Sequence, residues 1–278
     1  MAAAQQNPVS LGLFTQLGVT VEASPTLEQL ATMLSLLEKE LLRIHELPNS
    51  ALGDLATLHL AYEVVEQTKA TRILIASDVP RSAYTNARAA FESAIDLMYL
   101  TADMSRYSEL GAAFRTHEVF EDVRLQAKYV AADKANDLPP REVDDPLIIL
   151  EKDATDLEED FAEEAALLRQ VVLEFSARNG QKRKSFSGLT RDEQMRAAIE
   201  LIKAEVGIEE IVLASYSALS NNSHPRMRTS DRGWTVNAAG TVAAIPKRLD
   251  GDGAAWYALV ACAAAVPAVR RRHPKPEA

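Results

Sequence analysis

The chain is poor in the residues that build disulfides, tight turns and β-architectures. A single cysteine, Cys262, excludes an intrachain disulfide and any zinc site with several thiolates. Eleven glycines and twelve prolines in 278 residues, with 6% aromatics, leave little material for a turn-rich β-fold and favour helices. No Lys or Arg precedes Lys39, and the first 24 residues hold no continuous apolar core, so no secretory signal is expected. The longest apolar run, 254–269, is rich in alanine and contains Pro267. It is short for a hydrocarbon layer of about 30 Å, so a buried helix rather than a membrane span is expected. Together with the lone thiol this makes the cytoplasm the expected compartment. Glycine-rich phosphate loops, dinucleotide fingerprints, Gly-x-Ser-x-Gly elbows and calcium loops are all missing, and no cofactor is expected.

What is present is an ordinary globular balance, 47% hydrophobic and 25% charged, which excludes wholesale disorder. Helical periodicity dominates, and the spacing predicts an all-α antiparallel bundle of seven to eight helices. Residues 1–24 read as a flexible arm and 25–272 as one helical domain, with 273–278 as a tail. Leu27, Leu30, Leu34, Leu37, Leu41 and Ile44 form the first stripe, opened by Ser24-Pro25-Thr26 and closed by Pro48. Further helices are expected over about 51–77, 79–103 and 105–136. The stripe Leu150, Ala154, Leu157, Phe161, Ala165, Leu168, Val172 and Phe175 predicts one long helix over 146–179. Thr190 to Glu193 is a capping-box pattern that opens a sixth helix, and 208–221 reads as a seventh. Residues 225–253 read as an irregular insertion with a short hairpin across Asn237 to Gly240. Asp252 can cap the final helix.

Several polar residues stand where apolar ones are expected. Arg88 sits in the stripe of Tyr84, Phe91, Ile95 and Met98, and with Glu92 and Asp96 it forms an i, i+4, i+8 row. A guanidinium cannot lose its charge, so the row is either a salt-bridge ladder at a surface edge or the lining of a polar pocket. His117 and Glu121 share a helix face. They are either a metal-ligating pair or a hydrogen-bonded edge, and without a second histidine-bearing helix no metal is expected. The richest polar cluster is Tyr216, Ser220, Asn221, His224, Arg226 and Arg228. Pro225 ends the helix there, which gathers an imidazole, small hydrogen-bonding groups and two guanidiniums at one terminus. Such a set can perform acid–base chemistry on a phosphodiester, or it is a polar cap open to water. His45, His59 and His273 have no comparable company in sequence and read as surface or edge residues.

The segment Ala87-Arg88-Ala89-Ala90-Phe91-Glu92 resembles the Arg-x-x-Phe-Glu signature of a bacterial all-helical family of unknown function. Tyr216 to Pro225 resembles that family's Tyr-x-x-Leu-Ser-x-x-x-His-Pro element, and Ser185 to Thr190 its aromatic-Ser-Gly lead-in. The similarity spans roughly residues 50–230. It implies that Arg88, Glu92, Ser220 and His224 serve one site. More distantly the chain is similar to the HEPN superfamily of helical, often dimeric proteins, many of which cleave RNA. Their arginine precedes the histidine on one helix, whereas Arg226 and Arg228 follow His224 here.

Charge is unevenly spread. The net charge is −10, yet residues 222–278 hold nine Lys or Arg against four Asp or Glu, a local net of +5. Residues 145–179 hold ten acidic against three basic residues. The expected function is therefore a helical module. Its pocket of Tyr84, Arg88, Glu92, Tyr216, Ser220, Asn221, His224, Arg226 and Arg228 binds a small ligand or fixes the chain's own structure, and its surface serves a protein partner or self-association as a homodimer. The alternative is a metal-independent RNase in which His224 is the acid–base, Arg88, Arg226 or Arg228 holds the phosphate, Glu92 is a further catalytic candidate, and RNA contacts the basic C-terminal region.

Overall fold

The computed structural model describes residues 17, 27–45, 52–139, 142–177, 185–206, 232–236, 242–246 and 251–272. The fold is all-α, a helical bundle with eight α-helices among the described residues. These are α1 (Leu27–His45), α2 (Leu52–Ala76), α3 (Pro80–Ala102), α4 (Tyr107–Ala135), α5 (Pro146–Leu157), α6 (Ala162–Ala177), α7 (Arg191–Val206) and α8 (Asp252–Arg272). A two-stranded antiparallel hairpin precedes α8, with β1 (Arg232–Val236) paired to β2 (Val242–Pro246) and Val236 opposite Val242. The helix expected over 208–221 lies outside the described residues.

Local chemistry accounts for the boundaries. The turns after α2 and α4 use the same device. Asp78 (φ 58°) and Asp137 (φ 54°) adopt the left-handed conformation just past α2 and α4. Val79 N donates to Leu74 O at 2.8 Å, and Leu138 N to Asp133 O at 2.9 Å, closing the last turn of each helix. A proline follows two residues later in both cases, so the preceding helix cannot run on through it, and Pro80 instead opens α3. The capping box forms: Glu193 Oε2 accepts from Thr190 N at 2.7 Å, and Thr190 Oγ1 accepts from Glu193 N at 3.3 Å. Asp252 is the first residue of α8 rather than its cap.

The single helix expected over 146–179 is two, α5 and α6, broken at residues 158–161. Glu158, Glu159 and Asp160 fall together at this break. Their charges oppose the negative end of α5 and suit the positive start of α6, so the chain turns where one continuous helix would place them mid-span. The apolar stripe survives the turn because Leu150, Ala154, Ala165 and Leu168 are all buried.

The helices divide into two compact units. The first comprises Met1–Glu40, Ala61–Ala94 and Lys203–Pro267. Its core uses Leu30, Met33, Leu34 and Leu37 of α1, with Val64 and Val65 of α2 and the alanine-rich face of α8. Every residue from Ala258 to Val266 is buried, so this stretch is enclosed on all its faces. The helix Asp252–Arg272 is long and apolar enough to cross a membrane, with 78% of its most apolar window buried inside the protein. Cys262 is buried within it, 3.4 Å from Thr68 Oγ1, and burial pushes its thiol up to about 12.

The second unit comprises Leu41–Leu60, Ile95–Ile202 and Ala268–Ala278. Here α4, α5 and α6 pack against one another over Leu52, Ala112, Val119, Leu150, Ala154 and Leu168. Gly53 and Gly111 let the start of α2 meet α4 backbone to backbone. A Cβ on Gly111 would lie 2.4 Å from Gly53 N. Glu164, in the first turn of α6, caps the neighbouring helix by accepting from Leu52 N at 2.7 Å.

Candidate functional site

The close approach at Gly53 and Gly111 lays the Tyr107 ring over Gly53 and carries its hydroxyl to Asp54. Tyr107 OH donates to Asp54 Oδ1 at 2.9 Å and stands 2.7 Å from Thr57 Oγ1. Arg272 completes the network from the end of α8, with Nε 2.7 Å from Oδ1 and Nη2 3.2 Å from Oδ2. Its guanidinium carbon lies 5.2 Å from the centre of the Tyr107 ring. Burial, reinforced by the Asp54 charge, pushes the Tyr107 hydroxyl up, and Asp54 raises Arg272. The Asp54 side chain is only 2% exposed and both its oxygens are held. This closed ion pair fastens helices together and leaves no room for a substrate.

A second polar region of the same unit is open. Beside Asp54 on α2, the stripe Leu52, Leu55, Ala56 and His59 faces a pocket of about 530 Å³. Its other walls are Phe114, Arg115 and Glu118 from α4, and Asp153, Asp156, Leu157, Asp160 and Phe161 from α5 and the break after it. The volume lies within the range of small-molecule sites. Arg115 organises the polar side: its Nε donates to Asp153 Oδ2 at 2.8 Å and its Nη1 to Glu118 Oε2 at 3.1 Å. Burial works against the charge of Arg115, but these two carboxylates outweigh it and raise the guanidinium's pKa. His59 Nε2 is 3.4 Å from Glu118 Oε1, and the imidazole leans on the Phe114 ring with centroids 5.6 Å apart. Asp156 and Asp160 have no ion-pair partner among the described residues.

Phe114 is itself backed by Phe186, edge-on at 5.4 Å, and Phe186 meets Tyr99 at 6.1 Å. A compact turn positions Phe186. Ser185 Oγ donates to Leu189 O at 2.9 Å, and Gly188 takes φ 74°, a conformation that side-chain-bearing residues rarely adopt. The aromatic-Ser-Gly lead-in thus supports one wall of the pocket.

The residues expected from sequence to form a site are distributed differently. Arg88 Nε donates to Glu92 Oε1 at 2.8 Å on α3, with both side chains about one quarter exposed (24% and 27%). Tyr84 is buried, and a Cβ on Gly253 would lie 2.1 Å from its hydroxyl. Asp96, the third member of the row, has its own partners in the second unit. It pairs with Arg191 and accepts from Gln194 Nε2 at 2.6 Å. Tyr216, Ser220, Asn221, His224, Arg226 and Arg228 lie outside the described residues. Glu121 pairs with Arg124 on its own helix. No cluster of three or more His, Cys, Asp or Glu suited to a metal occurs among the described residues. His59, expected to be an unaccompanied surface or edge residue, is half-exposed and keeps company with Glu118 and Phe114.

A family model described as "Family of unknown function (DUF5677)" matches residues 54–237, more than half of the chain. The chain belongs to this family. No curated protein and no solved structure matches it. The DUF5677 match takes in Arg88, Glu92 and every pocket residue except Leu52.

Proposed function

We propose that this DUF5677 chain is a helical binding module of the cytoplasm whose ligand site is the pocket between α2, α4 and α5. The observation that carries this reading is a cavity of about 530 Å³ whose lining combines apolar side chains with an ordered set of polar ones. Arg115, Glu118 and His59 are already held by neighbours, so little ordering remains to be done on binding. The HEPN-like reading, RNA cleavage by His224 with Arg88, Arg226 or Arg228, has less behind it. Of these four only Arg88 is described, and its guanidinium lies against Glu92, a carboxylate that would repel a phosphate.

The test is a thermal-stability screen of small molecules against the full chain. Compounds that seat in the pocket raise the melting temperature by mass action. The same compounds should lose their effect in Leu55→Trp, which fills the pocket from a half-exposed position. Stabilisation undiminished in Leu55→Trp, or no stabilising compound at all, would overturn the reading.

A further inference from the structure

We infer that the pocket binds an organic cation, a primary ammonium or guanidinium group carried on a compact apolar body. This rests on the binding-module reading and adds the chemical class of the ligand. Charge within the pocket is strongly one-sided. Four carboxylates, Glu118, Asp153, Asp156 and Asp160, face it against one guanidinium, Arg115, and the imidazole of His59. The two kinds of carboxylate play different parts. Glu118 and Asp153 share the guanidinium of Arg115, at 3.1 and 2.8 Å. Asp156 and Asp160 lack an ion-pair partner among the described residues. They stand one helical turn apart in sequence, at the end of α5 and in the break that follows.

A phosphate or carboxylate entering the pocket would be repelled by the unpaired aspartates, and a cation would be favoured by them. The apolar part of the lining explains why the ligand also needs an apolar part. Leu52, Leu55, Ala56, Phe114, Leu157 and Phe161 present aliphatic and aromatic surface that a bare inorganic cation would leave wet. An aromatic face next to a carboxylate is also a favourable place for an ammonium group. A hard divalent metal would instead require several oxygen ligands converging on one point, and no such cluster occurs among the described residues.

The decisive experiment compares three probes that share one apolar body and differ in headgroup: phenylbutylamine, phenylbutanol and phenylvalerate. Their affinities for the full chain are measured by calorimetry at low salt. The amine should bind at least about tenfold more tightly than the alcohol, and the carboxylate more weakly than either. Added salt should weaken the amine alone. In the double variant Asp156→Asn/Asp160→Asn the amine's preference over the alcohol should shrink to about twofold while alcohol binding persists. Equal affinities of amine and alcohol for the unmodified chain would overturn the cation inference and leave the binding module standing. So would an amine preference untouched by the double variant. If none of the three probes binds, the inference and the binding-module reading fall together.

Discussion

Asp54 and the Leu55–His59 stretch are adjacent in sequence, yet they belong to two polar regions that work in opposite ways. Around Asp54 every charge is answered: Arg272 grips both carboxylate oxygens and Tyr107 supplies a further donor. Around His59 the polar groups line an open cavity, and two of its carboxylates, Asp156 and Asp160, have no ionic partner among the described residues. A burial-satisfied ion pair holds a structure together, whereas charge left unanswered on the wall of a cavity is what a ligand can use. The same distinction applies to Asp96, which is closed off by Arg191 and Gln194. Asp54 and Asp96, both buried, are thus fastenings, whereas Asp156 and Asp160 line the open pocket.

The sharpest way to break the contrast is to open the closed region. Arg272→Ala leaves Asp54 buried without its ionic partner and should cost about 3–5 kcal/mol in urea unfolding. Replacing the pair together, Asp54→Leu with Arg272→Met, should recover most of that loss, because a matched apolar pair needs no desolvated charge. Next in size is Gly111→Ala. In an ordinary helix interior this change gains up to about 1 kcal/mol, but here the new methyl meets the Gly53 backbone. A net loss of about 1–3 kcal/mol in thermal unfolding is expected. The open region should respond least: Asp156→Asn and Asp160→Asn should each shift stability by less than about 0.5 kcal/mol. Cys262 supplies a control for all of these variants. Its buried thiol, pushed up to about 12, should resist iodoacetamide at mildly alkaline pH until the chain is unfolded. Prompt labelling of the native chain would contradict its enclosure in α8.

Much of this fold is legible in the sequence because its signals are local. The Ser77-Asp78 and Asn136-Asp137 stops, the prolines that follow them and the Thr190–Glu193 capping box each act within one turn of helix. The break at 158–161 is harder to read, since the apolar stripe runs through it unchanged and only the three successive acidic residues interrupt the helix. The pocket is harder still. Its walls come from residues 52–59, 114–118 and 153–161, and no single segment reveals the others. A partial signal exists in the i, i+3, i+4, i+7 sets Leu52, Leu55, Ala56, His59 and Asp153, Asp156, Leu157, Asp160. In each, polar residues share a stripe with apolar ones. Glycines 53 and 111, isolated inside helical patterns, mark the close approach beneath the Asp54 network. Arg88 and Glu92 stand out more in sequence than either, but they form an i, i+4 pair on one helix. Tertiary partners, not residue types, separate a fastening from a site.

Mapping where phenylbutylamine binds, by NMR shift changes of the methyl and aromatic groups of the full chain, tests the open pocket as the ligand site most directly. The changes should centre on Leu55, Ala56, Leu157, Phe114 and Phe161, and leave the surroundings of Arg88 and Glu92 unmoved. Changes centred on Arg88 and Glu92 instead, or none at the pocket at saturating amine, would contradict it.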